Sequence, residues 1–192
     1  MRNWFIGAGA VVVAGFGGGF VWSFLPPAEP QAQAAAETNS TGSWEVSRFR
    51  SPNDGSIAVA MTVSTETFIP GRAQTPAGLA MFSLQCAEGN ISAILQFGKD
   101  VLRDLEGSGN VVYRVNGRSE ALQAFQQSTD GTAMGLWSSD VAVPFIERLI
   151  GATSLNIEAI PYRDQPIKAR FNVAGLDKAI TPLREACDWQ GV

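Results

Sequence analysis

No histidine occurs among the 192 residues, and cysteine appears only twice, as Cys86 and Cys187. The first absence removes the usual general base, the commonest metal ligand and every Ser-His-Asp or Cys-His mechanism. Two thiols cannot by themselves build a four-ligand zinc site. Neither Ser-x-x-Lys nor Gly-x-Ser-x-Gly is present to mark a serine nucleophile. Positive charge is also sparse. Against 18 Asp and Glu stand 14 Lys and Arg, a net charge of −4, and Arg2 is the one basic residue before Arg48. This charge balance argues against a nucleic-acid partner, because such proteins draw their affinity from neutralising phosphates. No cofactor is implied either. The glycine-rich stretches "GAGAVV" and "GFGGGF" lack the third glycine of a dinucleotide loop, and no strand precedes them.

What the chain does have is a long uncharged beginning. Asn3–Leu25 holds 23 residues without a charge, a reach of ~34 Å as a helix, enough to cross a bilayer core. A signal-peptide apolar region usually runs only about 7–15 residues. The favoured reading is therefore an uncleaved transmembrane anchor over residues 1–25, with Arg2 holding the N-terminus in the cytoplasm. Gly15-xxx-Gly19 and Ala10-xxx-Ala14 have the spacing with which membrane helices pack closely. The alternative is a secretory signal cleaved after Ala32-Gln33-Ala34. Residues 26–43, rich in Pro, Ala, Gln and small polar residues, read as a flexible linker.

The folded domain is expected over 44–192. "SIAVAMTVSTE" (56–66) places Ile57, Val59, Met61 and Val63 on one face, the clearest strand signal. Further strands are expected at 79–86, 91–97, 110–115, 121–128, 132–137, 154–162 and 166–173, with turn chemistry such as "AEGN", "NGRS" and "TDG" between many of them. "DVAVPFIERLIGA" (140–152) changes period to that of a helix, with Asp140 placed to cap it and Pro144 tolerable only near the first turn. A second short helix is expected over 176–186. The fold class is mainly β: an antiparallel β-sandwich or partly open barrel of about 8–9 strands with two short helices, preceded by one N-terminal transmembrane helix.

Few residues stand out chemically. Arg114 interrupts an apolar strand on the face opposite Tyr113 and Val115; it is an ordinary surface residue if that face is solvent, takes Glu158 or Asp177 as partner if partly buried, or binds a ligand. Trp44, Trp137 and Trp189 read first as core or sheet-edge packing, with Trp137 kept beside Arg114 as a candidate binding residue. Acidic pairs such as Asp100/Asp104 and Glu158/Asp164 are what 18 acidic residues produce by chance. A lone cysteine pair in an exported chain reads as a disulfide, two separate buried thiols being the alternative.

Taken in order, several pieces resemble a known family. They are "WEVSRFRSPNDGS", a strand ending in Cys86, "VYRVN" at 112–116, "FQQS", "FIERL", "PIKARFNVAGLDKAI" and the closing "CDW". From about Trp44 to Trp189 the chain is similar to the periplasmic type VI secretion-associated proteins of the VasI-like or TagO-like family. The resemblance implies a small, mainly β exported domain with a Cys86–Cys187 bridge and no enzymatic activity. The chain departs from the family in having Asn116 where Asp is frequent and Phe125 where Trp is usual.

The leading functional expectation is a non-enzymatic accessory or scaffold subunit of the bacterial inner membrane, single-pass, with its C-terminal domain in the periplasm. Its partners would be the lipid bilayer and an integral membrane protein complex, a secretion apparatus or another assembly, contacted through the N-terminal helix at Gly15, Gly19, Ala10 and Ala14. The second reading is a cleaved, soluble periplasmic ligand-binding module of the VasI-like type. A hydrolase built on paired carboxylates ranks last. The disulfide expectation has a direct check: reduction should raise the intact mass by about two hydrogens, whereas two free thiols leave it unchanged.

Overall fold

The computed structural model describes residues 37–51, 53–65, 79–97, 109–159 and 167–190. Ten strands and three short helices follow one another: β1 (Glu37–Thr41), β2 (Trp44–Arg50), β3 (Ile57–Ser64), β4 (Met81–Ala87), β5 (Asn90–Gln96), β6 (Gly109–Val115), β7 (Ala121–Gln127), β8 (Met134–Leu136), α1 (Ser139–Glu147), β9 (Ser154–Ala159), β10 (Ile167–Asn172), α2 (Leu176–Ala179) and α3 (Thr181–Ala186). The strands pair in the order β1-β2-β3-β4-β5-β8-β7-β6-β9-β10, and every pairing is antiparallel. The first five strands form a meander. β8 then returns to β5, and the connection through α1 delivers β9 to the far side of β6.

Alternation decides which side chains go inward. Met61, Leu84, Ala93 and Leu136 lie in one cross-strand row over β3, β4, β5 and β8, and all are buried. On the last strands the buried set is Leu155, Ile157 and Ala159 of β9 with Ala169 and Phe171 of β10. The two ends of the sheet meet at Phe82. Its ring is 6.1 Å from Trp44, 6.2 Å from Phe145 of α1 and 5.9 Å from Phe171. Phe145 in turn meets Tyr113 at 5.1 Å and Phe125 at 5.7 Å. Edge-to-face pairs of this kind contribute about 0.5–1.5 kcal/mol each beyond the area they bury. The Trp44 indole N–H donates to the Val173 carbonyl at 3.3 Å, so the start and end of the domain share a hydrogen bond as well as a core.

Cys86 and Cys187 are disulfide-bonded. The bridge holds α3 against β4 across a sequence separation of 101. In the chain-entropy account, closing so long a loop stabilises the fold by up to about 4–5 kcal/mol, less any strain.

Several local expectations are corrected. β1 lies inside residues 26–43, read from sequence as linker, and pairs with β2 from Glu37↔Arg48 to Thr41↔Trp44. Its residues "ETNST" have little to bury, so no apolar alternation announces an edge strand. Asp140 does not cap α1; the N-cap is Ser138, with no side-chain bond of its own. The Asn90 side chain does that work from the β4–β5 turn. Its Oδ1 accepts from the Ser139 N–H at 3.1 Å, its Nδ2 donates to the Trp137 carbonyl at 2.7 Å, and the Ser139 hydroxyl accepts from the Ile91 N–H at 2.8 Å. The helix expected over 176–186 is broken at Ile180 into α2 and α3. Pro182 brings no N–H to the ladder and its ring crowds the preceding turn.

Among the described residues no helix is long and apolar enough to cross a membrane. The N-terminal transmembrane helix of the expected fold, with Ala10, Ala14, Gly15 and Gly19, lies outside the described residues. The coarser expectation holds: the domain is mainly β, its strands antiparallel, its helices short.

Two turn-level features carry specific residues. Asn116 and Gly117, at φ 51° and 67°, turn the chain between β6 and β7. Asn116 Oδ1 accepts from the Thr153 N–H at 2.8 Å, the Thr153 hydroxyl at 3.1 Å and the Ser154 N–H at 3.1 Å, which ties this turn to the start of β9. At Gly135 of β8 the missing side chain is replaced by the Trp137 ring. A Cβ there would fall 2.6 to 2.8 Å from three atoms of that ring. The ring is held in place by its N–H, which donates to the Gln126 carbonyl at 2.9 Å. Gly135→Ala is expected to cost about 1–3 kcal/mol by overpacking, and much less in a Trp137→Ala background. A double-mutant cycle on urea midpoints reads the difference, and equal costs in the two backgrounds would show that the ring is not what excludes a side chain.

Candidate functional site

The candidate site forms where strand alternation sends polar side chains away from the core of β6, β9 and β10. Val111 and Tyr113 point inward and are buried, so Val112 and Arg114 point outward. The same alternation turns out Asn156 and Glu158 on β9 and Lys168 and Arg170 on β10. Pairing brings these residues into two rows. One runs Val112, Glu158, Lys168; the next runs Arg114, Asn156, Arg170. Val112 and Asn156 are short, their neighbours long, and a groove of about 430 Å³ lies among them.

The groove's charge is partly balanced. Lys168 Nζ is 3.5 Å from Glu158 Oε2, with Lys168 largely exposed and Glu158 only 23% so. Arg114 pairs with Glu120, from the β6–β7 connection, and the two side chains are 42% and 57% exposed. Such pairs contribute at most about 1 kcal/mol, because water screens them and ordering long side chains costs entropy. Arg170 has no ion pair or hydrogen bond among the described residues. Among the described residues the lining thus holds three cations and one carboxylate, on a chain whose net charge is −4.

The residues singled out from sequence separate into different places. Arg114 is in the groove, but its partner is Glu120, where Glu158 or Asp177 was expected; Glu158 lines the same groove and pairs with Lys168, while Asp177 sits in α2. Trp137 is outside the groove lining, half-buried and held against Gly135. Trp44 is fully buried, and Trp189 carries the Arg184 guanidinium 4.8 Å above its ring. Of the acidic pairs considered, Asp100, Asp104 and Asp164 lie outside the described residues. Two exposed turn carboxylates are held below the usual range: Asp54 by hydrogen bonds from Ser56, and Asp130 by bonds from Ser128 and then Thr132. Both fasten their own loops. No group of three or more His, Cys, Asp or Glu able to hold a metal ion occurs among the described residues.

Sequence reasoning missed Asn156, Lys168 and Arg170. Alternation in "SLNIEA" and "IKARFN" places them on the polar faces of their strands. That β9 lies between β6 and β10 is a long-range pairing with no local signal.

The fold has a counterpart among solved structures. A crystal structure of invasion associated protein B from Bartonella henselae superposes with a TM-score of 0.51 at 14% identity, covering 78% of this chain and 96% of that one. At that identity the likeness concerns the fold alone. No curated protein matches the chain. The matched fold makes up almost all of the solved chain. With no spanning helix among the described residues, the membrane-anchored accessory subunit is withdrawn as the leading reading. Withdrawn with it are the single-pass inner-membrane localisation and the lipid bilayer and integral membrane complex as partners through Gly15, Gly19, Ala10 and Ala14. A family model described as "Type VI secretion system VasI, EvfG, VC_A0118" matches residues 21–189, and with the disulfide and the mainly β fold in place the chain belongs to the VasI family.

Proposed function

We propose that this non-enzymatic chain is an exported ligand-binding module of the VasI type, and that its ligand site is the groove over β6, β9 and β10. The observation that carries the reading is Arg170, a guanidinium with no partner among the described residues, in a groove beside Arg114 and Asn156. Nothing in the packing of the inner face calls for cations there. The disulfide supports an oxidising compartment outside the cytoplasm, and the family's description names a secretion system.

In this reading residues 1–25 serve as an export signal, removal after Ala34 leaves a short N-terminal arm, and 44–192 holds the binding domain. The sheet folds over on itself as a sandwich or partly open barrel, a reading supported by the Phe82–Phe171 contact between β4 and β10 and by the absence of a β1–β10 pairing in the sheet order.

Two measurements test the proposal. Intact mass of the native protein should correspond to a chain starting at Ala35; a mass that includes Met1 would contradict release. Amide spectra of the labelled protein, titrated with the low-molecular-weight solutes of a periplasmic extract, should shift at residues 112–114, 156–158 and 168–170. Shifts confined to another part of the domain, or none at all, would remove the groove as the ligand site.

A further inference from the structure

We propose that the groove takes a carboxylate carrying an apolar substituent, an inference that rests on the ligand-binding reading above. Arg114, Asn156 and Arg170 are register partners on three neighbouring strands. Adjacent strands lie about 4.8 Å apart, so the two arginine stems start about 10 Å apart with the shorter Asn156 between them. Both guanidinium groups can lean over that amide. Glu120 already orients Arg114, which reduces the entropy lost when Arg114 engages a second acceptor. Arg170 has no described partner to give up. A planar, two-oxygen anion suits this arrangement, since a guanidinium fork donates two parallel N–H groups to a carboxylate. Asn156 supplies a further N–H between the forks.

The neighbouring row selects what is attached to the anion. Val112 pairs across the strands with Leu122 on one side and Glu158 on the other. Cross-strand partners share a face of the sheet, so Leu122, which is 68% exposed, stands beside Val112 on the groove side. This apolar step lies two residues along β6 from Arg114, about 7 Å. A carboxylate seated over Asn156 therefore has an apolar surface within reach of a short aliphatic group. A cation fits poorly, because the one carboxylate among the described lining residues, Glu158, already faces Lys168. Free phosphate would use the arginines and leave the Val112–Leu122 step unused.

The same chemistry could come from the C-terminal end of a peptide or from a free small acid, and the test separates them. The full chain, isotope-labelled, is titrated with N-acetyl-leucine, with N-acetyl-leucinamide, with inorganic phosphate, and with a tripeptide ending in a free leucine carboxylate. N-acetyl-leucine should shift the signals of Leu122, Arg114, Asn156 and Arg170 saturably, and the amide should bind at least tenfold more weakly, as loss of a charge-assisted hydrogen bond requires. Arg170→Gln should weaken N-acetyl-leucine about tenfold with an unchanged melting temperature. Leu122→Ser should weaken it while leaving phosphate binding as it was. Tighter binding of the tripeptide makes the source a peptide end, and equal or weaker binding makes it a free acid. Equal binding of acid and amide, or no effect of Arg170→Gln, would overturn the proposal. If periplasmic solutes shift the groove signals and N-acetyl-leucine does not, the carboxylate is wrong and the ligand-binding reading stands. If the groove stays silent to every titrant, both fall.

Discussion

The rest of the core depends on the ring of Phe82 and the aromatic contacts it makes. That ring touches the first core residue of the domain, Trp44, the central helix through Phe145, and the last strand through Phe171. These partners come from distant parts of the chain, so each contact is made only after a long loop has been closed. Because β10 reaches Phe82 through Phe171, the same contact decides which of its residues face out. A slip of one position would send Lys168 and Arg170 into the core and Ile167, Ala169 and Phe171 into water. The polar groove is in this sense the reverse side of an aromatic cluster.

That relation explains why the charged residues sit where they do without any of them stabilising the fold much. Exposed ion pairs such as Lys168–Glu158 and Arg114–Glu120 contribute little. The domain is held by its inner face and by the Cys86–Cys187 bridge. The outer face of β6, β9 and β10 is consequently free to vary in chemistry while the register beneath it is preserved. At the groove its present polar content is two arginines, a lysine, a glutamate and an asparagine. It has no histidine, no metal-holding cluster among the described residues and no nucleophile motif with which to do chemistry.

Strands with strong alternation, β3 above all, and the period change at α1 were readable from sequence because the information was local. β1 was not, since an edge strand that buries almost nothing leaves no pattern. Asp140 looked like a helix cap because it stands one residue inside the helix start; the actual cap comes from Asn90, on a turn far away in sequence. Arg114 was conspicuous as the lone charge in an apolar strand. Its true setting depended on which strands flank β6, and neither Asn156 nor Arg170 is unusual within its own segment. Trp137 was noticed for its size, and its position over Gly135 gives that size a packing role.

The β6–β7 turn has a consequence for how this protein ages. Asn116 followed by Gly117 is the pairing in which a side-chain amide is most easily lost, because glycine lets the next backbone nitrogen approach the amide carbon. Here the amide oxygen acts purely as an acceptor, from Thr153 and Ser154. A carboxylate left after ammonia departs could accept the same three bonds. Deamidation without isomerisation would thus leave the turn intact while adding a negative charge two residues from Arg114. Molecules deamidated in that way would differ from the rest less in stability than in the electrostatic character of one end of the groove.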